Sequence, residues 1–230
     1  MDQGERPYKC VNCGDLVPYL FKRYSPSVLK LKNCEACQKV ADKYIEYDKV
    51  IIMIDMVLLN KQAYRHILFN SSFENHWKLA VVLVLLEICM EWVSVNKLDQ
   101  SNSIKQSDTF EIDRQFYLSC LNILTGFTSW WLSVYALSIY ICSLHYSDAV
   151  KLWKAMVLAS CSKFLVVSQL IWGEVDSSLH SSLITVYTCL SQIQALNVVC
   201  SNSQWKAALI VFIASVLKIY SQNVMKNMLI

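Results

Sequence analysis

Apolar positions are distributed unevenly along the chain. Residues 1–49 are mostly polar and basic, whereas from Trp77 onward long runs contain no charged side chain. A helix needs about 20 predominantly apolar residues to cross the hydrocarbon core of a bilayer. The pattern therefore predicts a small hydrophilic head followed by a helical membrane body.

Five segments of the body are candidate membrane spans. The fourth is rich in Ser, Thr, Gln and Asn and the fifth is short, so the pattern favours five spans and leaves four as the alternative. The C-terminus would lie on opposite sides of the membrane in the two cases. The predicted fold is mainly α, a multi-pass helical membrane protein. The candidate spans are residues 77–95, 116–144, 152–172, 181–200 and 205–220.

The basic residues predict the orientation of the chain. Residues 1–65 contain 11 Lys or Arg, whereas the loop over residues 173–180 contains none. Lys and Arg concentrate on the cytosolic side of membrane proteins, so the head is expected in the cytosol. The first residues are charged and lead into no apolar core, so no secretory signal is expected.

The segment over residues 42–70 joins the head to the body. Its apolar run, residues 50–59, covers about half of a bilayer core as a helix and is interrupted by Asp55. A carboxylate in such a run needs water or a partner. The spacing of the polar residues predicts an amphipathic helix that lies in the membrane interface or packs under the head. The residues of this polar stripe are Asp48, Asp55, Gln62 and His66.

Four of the ten cysteines form two Cys-x-x-Cys pairs in the head, and the other six lie in apolar runs. The pairs are separated by twenty residues, a spacing typical of a four-thiolate zinc site. A head of about forty residues has too little core to fold alone, so a structural zinc ion is expected to stabilise it. Redox pairs and disulfides are the alternatives. The predicted ligands of this zinc-ribbon-like head, residues 1–41, are Cys10, Cys13, Cys34 and Cys37.

Charged residues also occur within the candidate spans. Glu87 and Glu91 lie four residues apart in the first span, and Lys163 lies in the third. A charge at the centre of a bilayer costs about 2.5–3.5 kcal/mol on insertion scales, so such groups should face protein, a cavity or one another. One hypothesis is that Glu87 pairs with Lys163 inside the bundle. In the alternative, Glu91 and Lys163 extend to the membrane interfaces.

A longer motif connects the head to the following segment. The two cysteine pairs, followed by CQKVADKYIEYDKVIIMIDMVLLNKQAYRHILFN, resemble the homology domain of the Arv family, named for ACAT-related proteins required for viability. The resemblance covers residues 8–70. It implies a multi-pass protein of the endoplasmic reticulum, associated with sterol homeostasis, sphingolipid metabolism and GPI-anchor synthesis. It also implies zinc ligation by the four head cysteines, and it implies no catalytic residue.

These observations favour a non-enzymatic membrane protein. The net charge of +3, without a dense basic cluster, argues against nucleic-acid binding. No nucleophile–base set, open metal site or phosphate loop appears in the sequence. The expected function of the body, residues 71–230, is to bind or move membrane lipid, including sterol. The alternatives are an accessory subunit of the glycosyltransferase that transfers N-acetylglucosamine to phosphatidylinositol, delivery of GPI intermediates, and, least favoured, an enzyme using His66 or intramembrane Glu residues.

Overall fold

The computed structural model describes residues 8–25, 28–102, 109–145, 148–167, 177–200 and 204–229. Helices dominate these residues, which confirms the mainly helical class. Short strands are confined to the head. The expectations for residues 168–176, which include the end of the third candidate span, lie outside the described residues.

The head consists of two small antiparallel ribbons. Tyr8 pairs with Val17 in the first ribbon, and Phe21 pairs with Leu31 in the second. A core of a few residues, including Val17 and Leu20, lies against the buried sulfurs. So small a core needs an additional stabilising element. The strands are β1 (Tyr8–Lys9), β2 (Leu16–Val17), β3 (Phe21–Ser25) and β4 (Val28–Leu31).

The connecting segment is not the single amphipathic helix that the polar stripe predicts. It begins with a 3-10 helix (Lys43–Glu46) and continues as α1 (Lys49–Val57) and α2 (Lys61–Arg65), which ends in a π-helical turn (His66–Asn70). Leu59 adopts a positive φ of 57° between the two helices. The Asn60 side chain then caps α2 by accepting a hydrogen bond from the Gln62 N–H at 3.1 Å. Asn is among the preferred N-cap residues, so the break is encoded locally.

Five longer helices form the body within the described residues. α4 packs most extensively against α7, and α5 packs against α6. α3 continues past the predicted end of the first span, and α5 is followed by a 3-10 helix (Ser160–Phe164). The helices are α3 (His76–Asn102), α4 (Thr109–Cys142), α5 (Ala149–Ala159), α6 (Ser177–Cys200) and α7 (Gln204–Leu229).

Two helices in the described part of the chain are long and apolar enough to cross a membrane. They extend over Leu179–Cys200 in α6 and Gln204–Met228 in α7. These are the two spans that the sequence pattern alone supports least. Spans over α3, α4 and α5 stay predictions.

Candidate functional site: a four-cysteine centre and an interhelical cavity

The four head cysteines converge on one point. The sulfur atoms of Cys10 and Cys37 lie 3.8 Å apart, and those of Cys13 and Cys34 lie 3.6 Å apart. All four sulfurs lie within 4.8 Å of one another. Four thiolates at about 2.3 Å from a tetrahedral ion are separated by about 3.8 Å, so this set could hold one metal ion.

The same turn presents both cysteine pairs. The Gly14 N–H donates to the Cys10 carbonyl at 2.9 Å, and the Gln38 N–H donates to the Cys34 carbonyl at 2.9 Å. The residue after each pair has a positive φ, 92° at Gly14 and 59° at Gln38. Glycine adopts this conformation without steric cost, whereas glutamine does not. The backbone therefore positions two matching sulfur pairs opposite each other.

The thiols differ in how readily they ionise. Burial raises the pKa of Cys10, but N–H groups of Cys13 and Asn12 and the neighbouring thiols outweigh burial and lower the pKa to about 7. Burial and the neighbouring thiols raise the pKa of Cys13 to about 12. One thiolate therefore forms readily and disfavours a second in the same cluster. A bound cation would remove this mutual repulsion, as expected for a metal centre closed by four thiolates.

A buried carboxylate links the head to the segment beneath it. Asp42 is fully buried, and its Oδ2 lies 2.6 Å from Asn70 Nδ2 and 2.7 Å from His66 Nδ1. Its Oδ1 accepts a hydrogen bond from the Tyr44 N–H at 3.0 Å. Asp42 is not among the site residues predicted from the sequence, although an Asp before a short helix is a typical capping signal. His66 lies within this network and not in an open site.

Three residues of the polar stripe find partners in the head or in the connecting segment, whereas the fourth, Asp48, is exposed. The Tyr44 hydroxyl donates to Asp55 at 2.6 Å, which provides the partner that this carboxylate was expected to need. Gln62 donates to the Asn12 side chain at 2.9 Å. Burial and the Asp55 carboxylate raise the pKa of Tyr44, so the phenol stays protonated and able to donate.

Arg65 ties the first cysteine pair to α2. Its guanidinium donates to the carbonyl of Val11 at 3.0 Å and to that of Asn12 at 2.6 Å. Both carbonyls lie between Cys10 and Cys13. The position of the cysteine centre is therefore fixed by the helix beneath it.

Polar contacts also attach α1 and α2 to α6. The hydroxyls of Tyr64 and Ser191 lie 2.7 Å apart. Gln194 donates to the Leu59 carbonyl at 2.8 Å, and the Tyr187 hydroxyl donates to the Val57 carbonyl. Val11 and Tyr64 belong to the same buried cluster as residues of α5, α6 and α7. Val11 therefore joins the head to the hydrophobic core of the body, in addition to the separate small core around Val17.

A cavity of about 490 Å³ lies between the five long helices. Its walls are mainly apolar and include three aromatic rings. Trp153 stands edge-on to the Phe127 ring at 5.9 Å between ring centroids. Apolar lining residues include Leu83, Ile123, Phe127, Trp130, Trp153 and Val157.

A charged cluster forms part of the cavity lining. Lys163 Nζ lies 2.7 Å from Glu87 Oε2, so the two residues proposed to pair are in contact. Lys218 of α7 also donates to Glu87, and Lys226 Nζ lies 2.9 Å from Glu91 Oε1. Neither Lys218 nor Lys226 could be predicted as a partner, because the spacing of residues along the chain does not reveal which helix lies opposite α3.

Taken with its cavity and four cysteines that could hold a metal ion, the fold defines a mainly helical protein with two candidate membrane-spanning helices and a cysteine centre docked on its body. Residues 9–196 match the model of the Arv1-like family. The chain belongs to this family, which confirms the resemblance seen in residues 8–70.

Relatives from distant organisms support this assignment. The chain is 34% identical to protein ARV1 of Mus musculus over 89% of this chain and 78% of the relative. It is 29% identical to protein arv1 of Schizosaccharomyces pombe over 91% of this chain and 82% of the relative. Protein ARV 1 of Arabidopsis thaliana is 37% identical over 44% of this chain and 43% of its own length. No solved structure matches the chain.

Proposed function

We propose that the chain is a non-enzymatic protein of the endoplasmic-reticulum membrane that binds a membrane lipid, in the first place a sterol, between its helices. Membership of the Arv1-like family supports a general role in sterol and lipid homeostasis. The names of the relatives, protein ARV1 and protein arv1, state no enzymatic activity. Binding would allow the protein to transport or distribute lipid within the cell.

The observation that carries this proposal is the cavity between the long helices. Its volume of about 490 Å³ is within the range of small-molecule sites, about 300–1,000 Å³. The flat rings of Trp130 and Trp153 suit a fused-ring ligand, and the cluster around Glu87 offers hydrogen-bonding groups to a hydroxyl or headgroup. Such a combination of apolar walls and a polar end matches the chemistry of an amphiphile.

The charged cluster supports the same interpretation. Charges within hydrocarbon are costly and are normally placed against protein or a cavity. Glu87 is paired with two lysines, and its side chain and that of Lys163 also line the cavity. The cluster therefore both stabilises the bundle and presents a polar surface to a ligand.

We further propose that the cysteine centre holds a structural zinc ion and faces the cytosol. Four sulfur ligands would complete the tetrahedral coordination of zinc and leave no position for a substrate. The ion would contribute to the folding of the head and thereby keep Val11 and Asn12 in place over α2. Its role is assembly, not catalysis.

Assembly with other membrane subunits is the second candidate function. It is favoured by α7, whose candidate span is only 17% buried within this chain. Large exposed side chains such as Phe212 and Ile219 could pack against helices of a GPI-anchor glycosyltransferase complex. Lipid chains could cover the same surface, so this candidate ranks second.

Purification under mild detergent distinguishes the two functions. The full chain is isolated from its native membranes, and bound lipids and proteins are identified by mass spectrometry. Lipid binding predicts enrichment of sterol over the whole extract, without other subunits in fixed stoichiometry. Copurification of glycosyltransferase subunits in fixed ratio, without enriched lipid, would favour the accessory-subunit function instead.

A further inference from the structure

Helix α1 exposes an unusually apolar surface for a segment attached to a hydrophilic head. Its polar residue Asp55 turns inward to Tyr44, and Met56 is buried. The opposite face carries large aliphatic side chains, of which Leu58 at the helix end is 71% exposed. We call this face the α1 apolar face. It consists of Val50, Ile51, Met53, Ile54, Val57 and Leu58.

The end of α1 lies beside a helix that is able to cross a membrane. Tyr187 and Gln194 of α6 contact the Val57 and Leu59 carbonyls. These two α6 residues precede Cys200 by 13 and 6 positions. At 1.5 Å per residue they lie about 20 and 9 Å from that end of the candidate span. The turn after α1 is therefore placed at the depth of the span and not beyond its end.

Protein groups donate hydrogen bonds to several backbone carbonyls at this turn. The last carbonyls of a helix lack partners within the helix. Here side chains of α6 donate to two of them, and the Asn60 N–H donates to the Asp55 carbonyl at 3.0 Å. In hydrocarbon, irregular backbone is tolerated only where protein groups replace water in this way. The turn therefore meets this requirement at the carbonyls of Asp55, Val57 and Leu59.

The exposed surface continues on α6 itself. Leu183, Val186 and Leu190 lie around Tyr187 along that helix and are also exposed. If α6 spans the membrane, lipid surrounds these residues. The same lipid would also contact the adjacent α1 apolar face. Of the α2 cations, Arg65 is bound to carbonyls of the head, and Lys61 has a long stem that can carry its charge toward the headgroups.

We propose that α1 and the turn that follows form a re-entrant membrane segment, with the α1 apolar face covered by the acyl chains of one leaflet. The run over residues 50–59, with nine apolar residues and Asp55, is too short to cross the bilayer, but it is long enough to enter it and return. The head would then be attached to the membrane through the segment beneath it. This inference concerns how the head is attached and does not depend on which lipid occupies the cavity.

Photocrosslinking of the full chain in its native membranes tests the proposal. In separate variants, the photoreactive residue p-benzoylphenylalanine replaces Met53 or Leu58. Both side chains are exposed, so neither replacement should disturb the packing of the core. Leu183 on α6 serves as the positive control for lipid contact. Glu35, in the second cysteine loop with its side chain 88% exposed, serves as the negative control.

Mass spectrometry then identifies what each position contacts. The proposal predicts lipid adducts at Met53, Leu58 and Leu183, and at least tenfold fewer at Glu35. Adducts of Met53 or Leu58 with a second copy of the chain or with another protein, without lipid adducts, would overturn it. So would lipid adducts at Leu183 alone, or equal lipid labelling at Glu35.

Discussion

The Tyr64 hydroxyl lies 2.7 Å from the Ser191 hydroxyl, and both residues are buried. This contact joins α2, which carries the cysteine head through Arg65, to α6, which is able to cross a membrane. The head is therefore anchored to the body by side chains from a distant part of the chain. Disturbing this contact should affect both parts together.

Replacement of Tyr64 by Phe is expected to lower the free energy of unfolding by about 1 kcal/mol, because a buried hydroxyl loses its partner. Thermal unfolding of the detergent-solubilised chain measures the effect. The matched control is Tyr24→Phe, which removes a hydroxyl from an exposed residue of the head. The double variant Tyr64→Phe with Ser191→Ala should cost less than the sum of the single variants. Strict additivity would show that the two hydroxyls do not interact.

Metal content provides a second prediction. The purified chain should contain about one zinc ion, as a closed four-thiolate site requires. Cys34→Ser should lose most of the ion and unfold the head, because the small core around Val17 cannot replace it. Cys89→Ser, at an exposed cysteine of α3, should keep the ion. Elemental analysis by mass spectrometry makes the measurement, and a folded head without zinc would refute the structural-zinc proposal.

Alkaline pH should weaken the contact between Tyr44 and Asp55. The pKa of Tyr44 is raised in the folded chain, so its contribution to stability is fully present below the ordinary tyrosine value of about 10. It is lost as the pH rises above that value, because the unfolded chain then ionises first. Stability measured from pH 8 to 11 should therefore fall less steeply for Tyr44→Phe than for the unmodified chain. Tyr24→Phe should follow the unmodified chain, and equal slopes for all three would contradict the assignment.

Gly126 allows α4 and α7 to approach closely. A Cβ atom at this position would lie 2.6 Å from Gln222 Nε2 and 2.7 Å from Gln222 Cγ. Gly126→Ala should therefore destabilise the bundle by about 1–3 kcal/mol through overpacking. The double variant with Gln222→Ala should recover most of this loss in thermal unfolding. No recovery would mean that another contact limits the approach.

A further prediction concerns the charged cluster around Glu87, in which Lys218 is a second partner that the sequence alone does not reveal. Glu87→Lys should lower the yield of folded protein, since the new cation faces both Lys163 and Lys218. Adding Lys163→Glu restores one pair but leaves Lys218 next to a cation. A triple reversal that includes Lys218→Glu should therefore recover more folded protein than the double reversal, as measured by size-exclusion chromatography. Equal yields from the two would argue that Lys218 is not part of the cluster.

The cysteine centre and the mainly helical body could be predicted from sequence because each signal is local. The Cys-x-x-Cys spacing is sufficient to predict convergence, and apolar runs are sufficient to predict helices. The break at Leu59 was missed because the apolar run continues through it and masks the capping signal of Asn60.

Partners across the fold could not be predicted in the same way. The apolar neighbours of Asp55 in the sequence indicate that its carboxylate needs a hydrogen-bond partner. The sequence does not identify Tyr44 as that partner, because the two residues meet only where the chain turns back on itself. Lys218 reaches Glu87 from a helix more than a hundred residues further along. Which helices are neighbours depends on the packing of the whole bundle, and hydrophobic periodicity does not specify it.

Sterol binding by the purified full chain tests the central claim most directly. A fluorescent sterol such as dehydroergosterol accepts energy from tryptophan, and Trp130 and Trp153 line the cavity. The account predicts saturable energy transfer that unlabelled sterol displaces. It also predicts that Leu83→Trp, which fills the cavity, weakens binding at least tenfold, whereas Leu85→Trp on the exposed side of α3 does not. A signal that rises without saturation, or equal binding by both variants, would contradict lipid binding between the helices.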